Sequence, residues 1–200
     1  IDASAREFET LKRQDNILCL DYIDSKEKYF QIKYSHCLIA SSIKQFEIFK
    51  LKYKSCFIHL ITHHVDPRLI KKQRENSILK IGYFGESQNG LYVNYLNKYI
   101  DNYFINTNNQ GSNKWLKKIN DYDCHYIVRK KINSQINKPF LKGFTAAYTS
   151  SNVLVYENQG DCLYYLTKDY PYLIYDDSFS SILNMIEFIN ILFYLGIIGK

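Results

Sequence analysis

Short apolar runs alternate along the chain with stretches whose apolar residues recur at helical spacing. Asn16 to Leu20, Cys37 to Ser41, Cys56 to Ile61, Leu79 to Phe84, Tyr103 to Asn106, His125 to Val128, Asn152 to Val155 and Tyr172 to Ile174 each read as a strand. Between them, Ser42 stands ahead of Ile43, Phe46 and Phe49 and predicts a capped helix, and Leu91, Tyr95, Leu96 and Tyr99 repeat on one helical face. Trp115, Leu116 and Ile119 predict a shorter helix, and Ser178 or Ser180 opens a terminal one through Phe193. Strand and helix in alternation predict right-handed β-α-β units, so the expected fold is α/β, with Rossmann-like parallel sheets flanked by helices. Aromatic stripes at this spacing are read as core.

The passage from Asp66 to Ser77 holds Pro67 and then Arg68, Lys71, Lys72, Arg74 and Glu75, a polar stretch with a chain breaker between two α/β blocks. The expected organisation is a partial first domain over residues 1–66, a linker over 67–77, and a second domain over 78–200. The chain opens on Ile1 with no signal peptide, which reads as a start inside a longer protein. The most apolar stretch, Phe188 to Ile198, is broken by Asn190 and Gly196 and falls short of the roughly 20 residues a spanning helix needs. A cytoplasmic protein with at most peripheral membrane association is expected.

Composition changes this picture little. Apolar residues make up 46% of the chain and aromatic ones 16%, enough for a substantial core or two small ones. The 19 Tyr and 12 Phe, with many Ile, Asn and Lys, resemble the codon drift of an AT-rich genome, so they do not count as evidence for base stacking. A net charge of +6, from 26 basic and 20 acidic residues, favours anionic partners without choosing among them, and a lysine-rich solvated surface also accounts for it. Cys19, Cys37, Cys56, Cys124 and Cys162 are scattered and form no CxxC pair, which argues against zinc and against a disulfide framework. Buried thiols in a reducing compartment are the simplest account.

In an open parallel sheet ligands bind beyond the carboxyl ends of the strands, so the chemistry is sought in the loops that follow them. The first such loop reads Phe84-Gly85-Glu86-Ser87-Gln88-Asn89-Gly90, where Gly85 lets the backbone approach a phosphate or sugar; an ordinary strand-to-helix turn is the alternative. Neither GxGxxG nor a P-loop pattern is present. The second loop carries His63, His64 and Asp66, which line a cleft or bond the backbone; adjacent histidines point apart and no further ligand is near in sequence, so no metal is assigned. The third constellation is the strongest. Arg129-Lys130-Lys131 leaves a strand, and Lys138-Pro139-Phe140-Leu141-Lys142-Gly143 opens a helix, so cations from a strand end and a helix start can converge on one diphosphate; a solvated basic loop is the alternative. No GxSxG elbow or Cys-His protease pattern occurs.

The order of these pieces resembles the nucleotide-sugar glycosyltransferases of the GT-B fold, in which two Rossmann-like domains face each other across a cleft. Asn16 to Asp24 and Cys37-Leu-Ile-Ala-Ser-Ser42 resemble late strands of an acceptor-side domain, and Ile58 to Arg68 resembles the crossover between domains. Lys80-Ile-Gly-Tyr-Phe-Gly85 is similar to the first strand and glycine turn of the donor-side domain. Lys138-Pro-Phe-Leu-Lys142-Gly-Phe-Thr-Ala-Ala147, then Asn152-Val-Leu-Val155 and Asp161 to Leu166, are similar to the donor-binding helix, its next strand and a further helix. The paired Glu that many retaining members carry around this helix is absent, and Lys142 is closer to a fucosyltransferase-like pattern. The resemblance implies transfer of a sugar from a nucleotide diphosphate donor to a glycan or other hydroxyl acceptor. The donor is then a substrate and no separate cofactor is expected. Arg129 and Lys142, with Lys138 as a third cation, would bind the donor diphosphate; Gly85 and Glu86 would form a donor loop, with His64 and Asp66 lining the cleft and closure about the linker. No catalytic base is named. The rival reading is a noncatalytic nucleotide- or glycan-binding module on the same scaffold. Nucleic acid is not expected as a partner, since no zinc-finger, homeodomain or aromatic-strand RNA signature is present.

Overall fold

The computed structural model describes residues 5–14, 16–22, 29–71, 76–105, 114–130 and 138–197. They fall into two compact units, residues 1–63 with 132–140, and residues 64–131 with 141–200. Both have parallel sheets flanked by helices, so the α/β, Rossmann-like class expected from the alternation is what the chain adopts.

In the first unit the elements follow as α1 (Ala5–Arg13), β1 (Cys19–Asp21), α2 (Tyr29–Tyr34), β2 (Cys37–Ala40), α3 (Ile43–Lys52) and β3 (Phe57–Leu60). The three strands lie in sequence order, all parallel, with Cys19 opposite Cys37 and Leu38 opposite Ile58. Leu38, Ala40 and Phe49 form the core with Tyr22 and Ile32. Ser42 caps α3 as the sequence predicts, its hydroxyl accepting from the Gln45 N–H at 3.1 Å. The buried Gln45 amide in turn donates to the Tyr22 carbonyl and accepts from the Ser41 N–H.

The second unit contains β4 (Ile81–Gly85), β5 (Ile100–Phe104), α4 (Lys114–Lys118) running into a 3-10 turn (Ile119–Asp121), β6 (Cys124–Tyr126), α5 (Leu141–Tyr148), β7 (Asn152–Tyr156), α6 (Cys162–Tyr165), β8 (Leu173–Ile174) and α7 (Phe179–Tyr194). Its sheet is wholly parallel in the order β5-β4-β6-β7-β8. Counted from β4 this is 2-1-3-4-5, one of the two common doubly wound orders. Ile81, Gly82, Tyr83 and Phe84 are all buried, as central parallel strands covered on both faces must be.

Because side chains alternate across a strand, Ile81, Tyr83 and Gly85 share one face of the sheet, and Gly82 and Phe84 the other. The first face forms a core with Val93, Leu96, Tyr126, Leu154 and the α7 residues Ile182, Ile186 and Ile189. The second packs Phe84 against Leu116, Ile119, Tyr122 and Leu69. Leu69 thus contributes to this unit's core, although it lies in the passage read from the sequence as a polar linker; residues 72–75 of that passage lie outside the described residues. The buried Asp123 accepts from the Asn76 amide and the Lys80 N–H and so ties the approach to β4 onto β6.

One expected helix is absent. Residues 91–99 form successive turns, with Leu96 and Ile100 N–H groups donating back to Tyr92 and Leu96 carbonyls and Tyr92 at φ 55°. Tyr95 and Tyr99 are exposed, while Val93 and Leu96 point into the core, so the buried set is not the Leu91, Tyr95, Leu96 and Tyr99 set that the spacing picks out. Among the described residues no helix is long and apolar enough to cross a membrane.

Candidate functional site

In the second unit β5 lies on one side of β4 and the later strands on the other, so the strand order reverses between β4 and β6. A reversal of this kind splays the two following loops apart at the carboxyl rim and leaves a crevice. Here the loops are tied together again. Gly90 and Arg129 form an antiparallel bridge, the Leu91 N–H donates to the Val128 carbonyl at 3.1 Å, and the Lys130 N–H donates to the Asn89 carbonyl at 3.2 Å. The buried Tyr126 hydroxyl adds a 2.6 Å bond to the Leu91 carbonyl.

Tyr83 stands under this junction with no solvent exposure. Its hydroxyl donates to the Glu86 carbonyl at 2.6 Å, and burial pushes its ionisation up to about 12, so it is a neutral phenol at ordinary pH. The ammonium of Lys142, on the first turn of α5, lies 4.8 Å from the centre of its ring, within cation–π range. The Arg129 charge also acts on Tyr83 and opposes the effect of burial. The Lys142 ammonium thus lies at the buried ring from the start of α5, and the Arg129 charge bears on the same phenol from the exit of β6.

Gly85 makes the Lys142 position possible. It follows Tyr83 by two residues on the same face, and a Cβ there would stand 2.8 Å from the Lys142 Nζ and 3.0 Å from the Tyr83 hydroxyl. The Arg129 backbone is held by Gln159 from the loop after β7: the Gln159 side chain accepts from the Arg129 N–H at 3.0 Å and donates to the Ile127 carbonyl at 2.6 Å. The Arg129 Nε is buried and, among the described residues, meets no acceptor.

The other expected residues make contacts near their own places in the chain. The Glu86 carboxylate accepts from the Asn89 and Gln88 side chains and so closes its own turn. Asp66 accepts from Arg68 through its backbone N–H and its guanidinium, which holds the carboxyl below its usual range, and the His64 Nδ1 lies 2.8 Å from the Val65 carbonyl. These contacts are local to the 64–68 turn. Lys138 falls in the 132–140 stretch that groups with the first unit. Among the described residues no group of three or more His, Cys, Asp or Glu is arranged to hold a metal ion.

On the opposite face of the sheet, beneath the first turn of α5, lies a cavity of about 170 Å³. Phe84, Ile119, His125 and Ile127 form its buried floor. Trp115, Leu141, Lys142 and Thr145, all half-buried, form its mouth.

Sequence reasoning did not single out Tyr83, Gln159 or this cavity. A Tyr two residues ahead of a Gly on one strand face was a readable sign of space beside a ring. Gln159 and the cavity depend on elements brought together from distant parts of the chain and left no local sign. No protein-family model matches this chain, and no curated protein matches it. Fold and site together define a doubly wound, Rossmann-like α/β protein in which the Lys142 ammonium and the Arg129 charge bear on a buried phenol at the reversal of the strand order.

Proposed function

We propose that the chain is a nucleotide-sugar glycosyltransferase of the GT-B type, whose second unit binds the donor diphosphate between Arg129 and Lys142. The observation that carries this reading is that the Lys142 ammonium lies at the buried Tyr83 ring, and the Arg129 charge bears on the same phenol, at the carboxyl rim where the strand order reverses. In an α/β sheet this is where phosphorylated ligands are held, and α5 adds the positive end of its dipole. When the bond between the sugar's anomeric carbon and the diphosphate oxygen breaks, negative charge accumulates on the leaving phosphate. Fixed cations stabilise that charge more than they stabilise the resting donor. The acceptor oxygen bonds to the anomeric carbon as that bond breaks, and its proton passes to the released diphosphate or to solvent.

The test is calorimetric titration of nucleoside diphosphates and nucleotide sugars into the protein and its Arg129→Ala and Lys142→Ala variants. Loss of one charge-assisted contact should weaken binding about tenfold to a hundredfold in each. Unaltered binding in both variants overturns the diphosphate site. A noncatalytic nucleotide-binding module is the second reading, and it is favoured by one observation: the Glu86 and Asp66 carboxylates are both engaged by neighbours in their own turns. Sugar transfer to an acceptor, or donor hydrolysis, would remove it.

A further inference from the structure

The cavity under α5 is apolar in a stronger sense than its residue names suggest. The Thr145 hydroxyl on its wall donates to the Leu141 carbonyl at 3.0 Å, and the His125 Nε2 lies 3.3 Å from the Ile119 carbonyl. The Lys142 ammonium is directed to the Tyr83 ring, on the other face of the sheet from the cavity floor. The Thr145 hydroxyl and the His125 Nε2 thus meet backbone carbonyls of the wall itself, and the Lys142 ammonium meets the Tyr83 ring. A water inside would need two to four polar partners, whereas an apolar void of roughly 150 Å³ stays dry and accepts a benzene-sized guest. At about 170 Å³ this cavity meets that size, and its half-buried mouth gives a guest a way in.

We propose that this cavity is a binding site for a single uncharged, ring-sized apolar group, held by Phe84, Ile119 and Ile127 below and Trp115 and Leu141 at the mouth. Recognition is by shape and absence of polarity: an occupant replaces an empty volume, and its ring meets the Phe84 and Trp115 side chains of the lining. The site is separate from the diphosphate crevice and does not depend on what that crevice binds. The two share Lys142, which borders the mouth while its charge lies at Tyr83, and Tyr126, which also borders the cavity while its hydroxyl bonds the Leu91 carbonyl.

The chain contains a single tryptophan, and it stands at the mouth, so its indole N–H resonance is a unique reporter. Titration with benzene, followed by proton–nitrogen correlation spectra, should give a saturable shift of the Trp115 signal. Two variants fill the cavity from different walls, Thr145→Leu from α5 and Ile105→Phe from the residue just after β5, which also lines the cavity. Both should lose the saturable shift, and Thr145→Leu should keep nucleoside diphosphate affinity, so failure here is distinguishable from failure of the diphosphate site. Absence of a saturable shift in the unaltered protein, or its persistence in both variants, overturns the proposal.

Discussion

Three glycines lie along β4 and its loop, at 82, 85 and 90, and the last two border the Tyr83 ring in different ways. A methyl group at Gly85 would meet the Lys142 Nζ at 2.8 Å, the far end of a flexible side chain, and the Tyr83 hydroxyl and Cζ less tightly, at 3.0 and 3.2 Å. A methyl group at Gly90 would meet the Val93 Cγ1 at 2.5 Å and Tyr83 ring atoms at 2.8 and 2.9 Å, and these are core groups packed by their neighbours. Gly85→Ala should therefore leave the urea midpoint close to that of the unaltered protein while weakening nucleoside diphosphate binding, because the ammonium must leave its seat. Gly90→Ala should lower stability by about 1–3 kcal/mol, the usual range for overpacking a core. Equal loss of stability in the two variants would mean that Lys142 is held too firmly to yield.

Between elements, the exit of β6 is fixed by a residue far along the chain. Gln159 follows β7, and its amide bridges the Ile127 carbonyl and the Arg129 N–H, so one side chain sets the path of the loop that delivers the guanidinium. Gln159→Met keeps the stem and removes both bonds. It should cost about 1–2 kcal/mol in urea denaturation, two ordinary hydrogen bonds' worth, and weaken diphosphate binding as well. If affinity stays unchanged while stability falls, Gln159 supports the loop without positioning Arg129. The same scale shows what could be read in advance. Each apolar run that predicts a strand contains or borders one, and Ser42 and Ser178 both cap helices, since period and capping are local properties. Helices α1 and α2 lie outside the elements that the spacing predicts, and residues 91–99 keep a helical spacing without forming a helix. There, Leu91, Tyr95, Leu96 and Tyr99 keep a helical spacing, but the turn at Tyr92 sends Tyr95 outward and brings Val93 in. Tertiary demand overrides periodicity in so short a segment. At the site, Arg129, Lys142 and Gly85 were legible as charges and a glycine after strands, whereas Tyr83 emerged only from packing.

Taken across the molecule, buried acidic protons are a shared liability. Burial pushes Tyr83 up to about 12, and raises Tyr122, Tyr126 and Tyr170 as well. It also pushes the Cys124 thiol up to about 12 and Cys162 to about 11. In the unfolded chain these groups ionise near their ordinary values, about 10 for Tyr and about 8.5 for Cys. Above those values the unfolded state has released protons that the folded state still holds, so unfolding gains from every further rise in pH. The stabilisation they give is fully present below about pH 8.5 and is lost as pH climbs toward the folded values. All six groups lie in the second unit, so its unfolding should respond most steeply. Urea midpoints followed by near-ultraviolet circular dichroism should be level near neutral pH and fall progressively from about pH 9 upward, with phenolate absorbance appearing together with loss of structure. Tyr83→Phe removes one ionising group and should flatten the alkaline slope. A midpoint that holds to about pH 11 while the buried phenols ionise in an intact fold would contradict the packing around Tyr83 on which the cationic crevice depends.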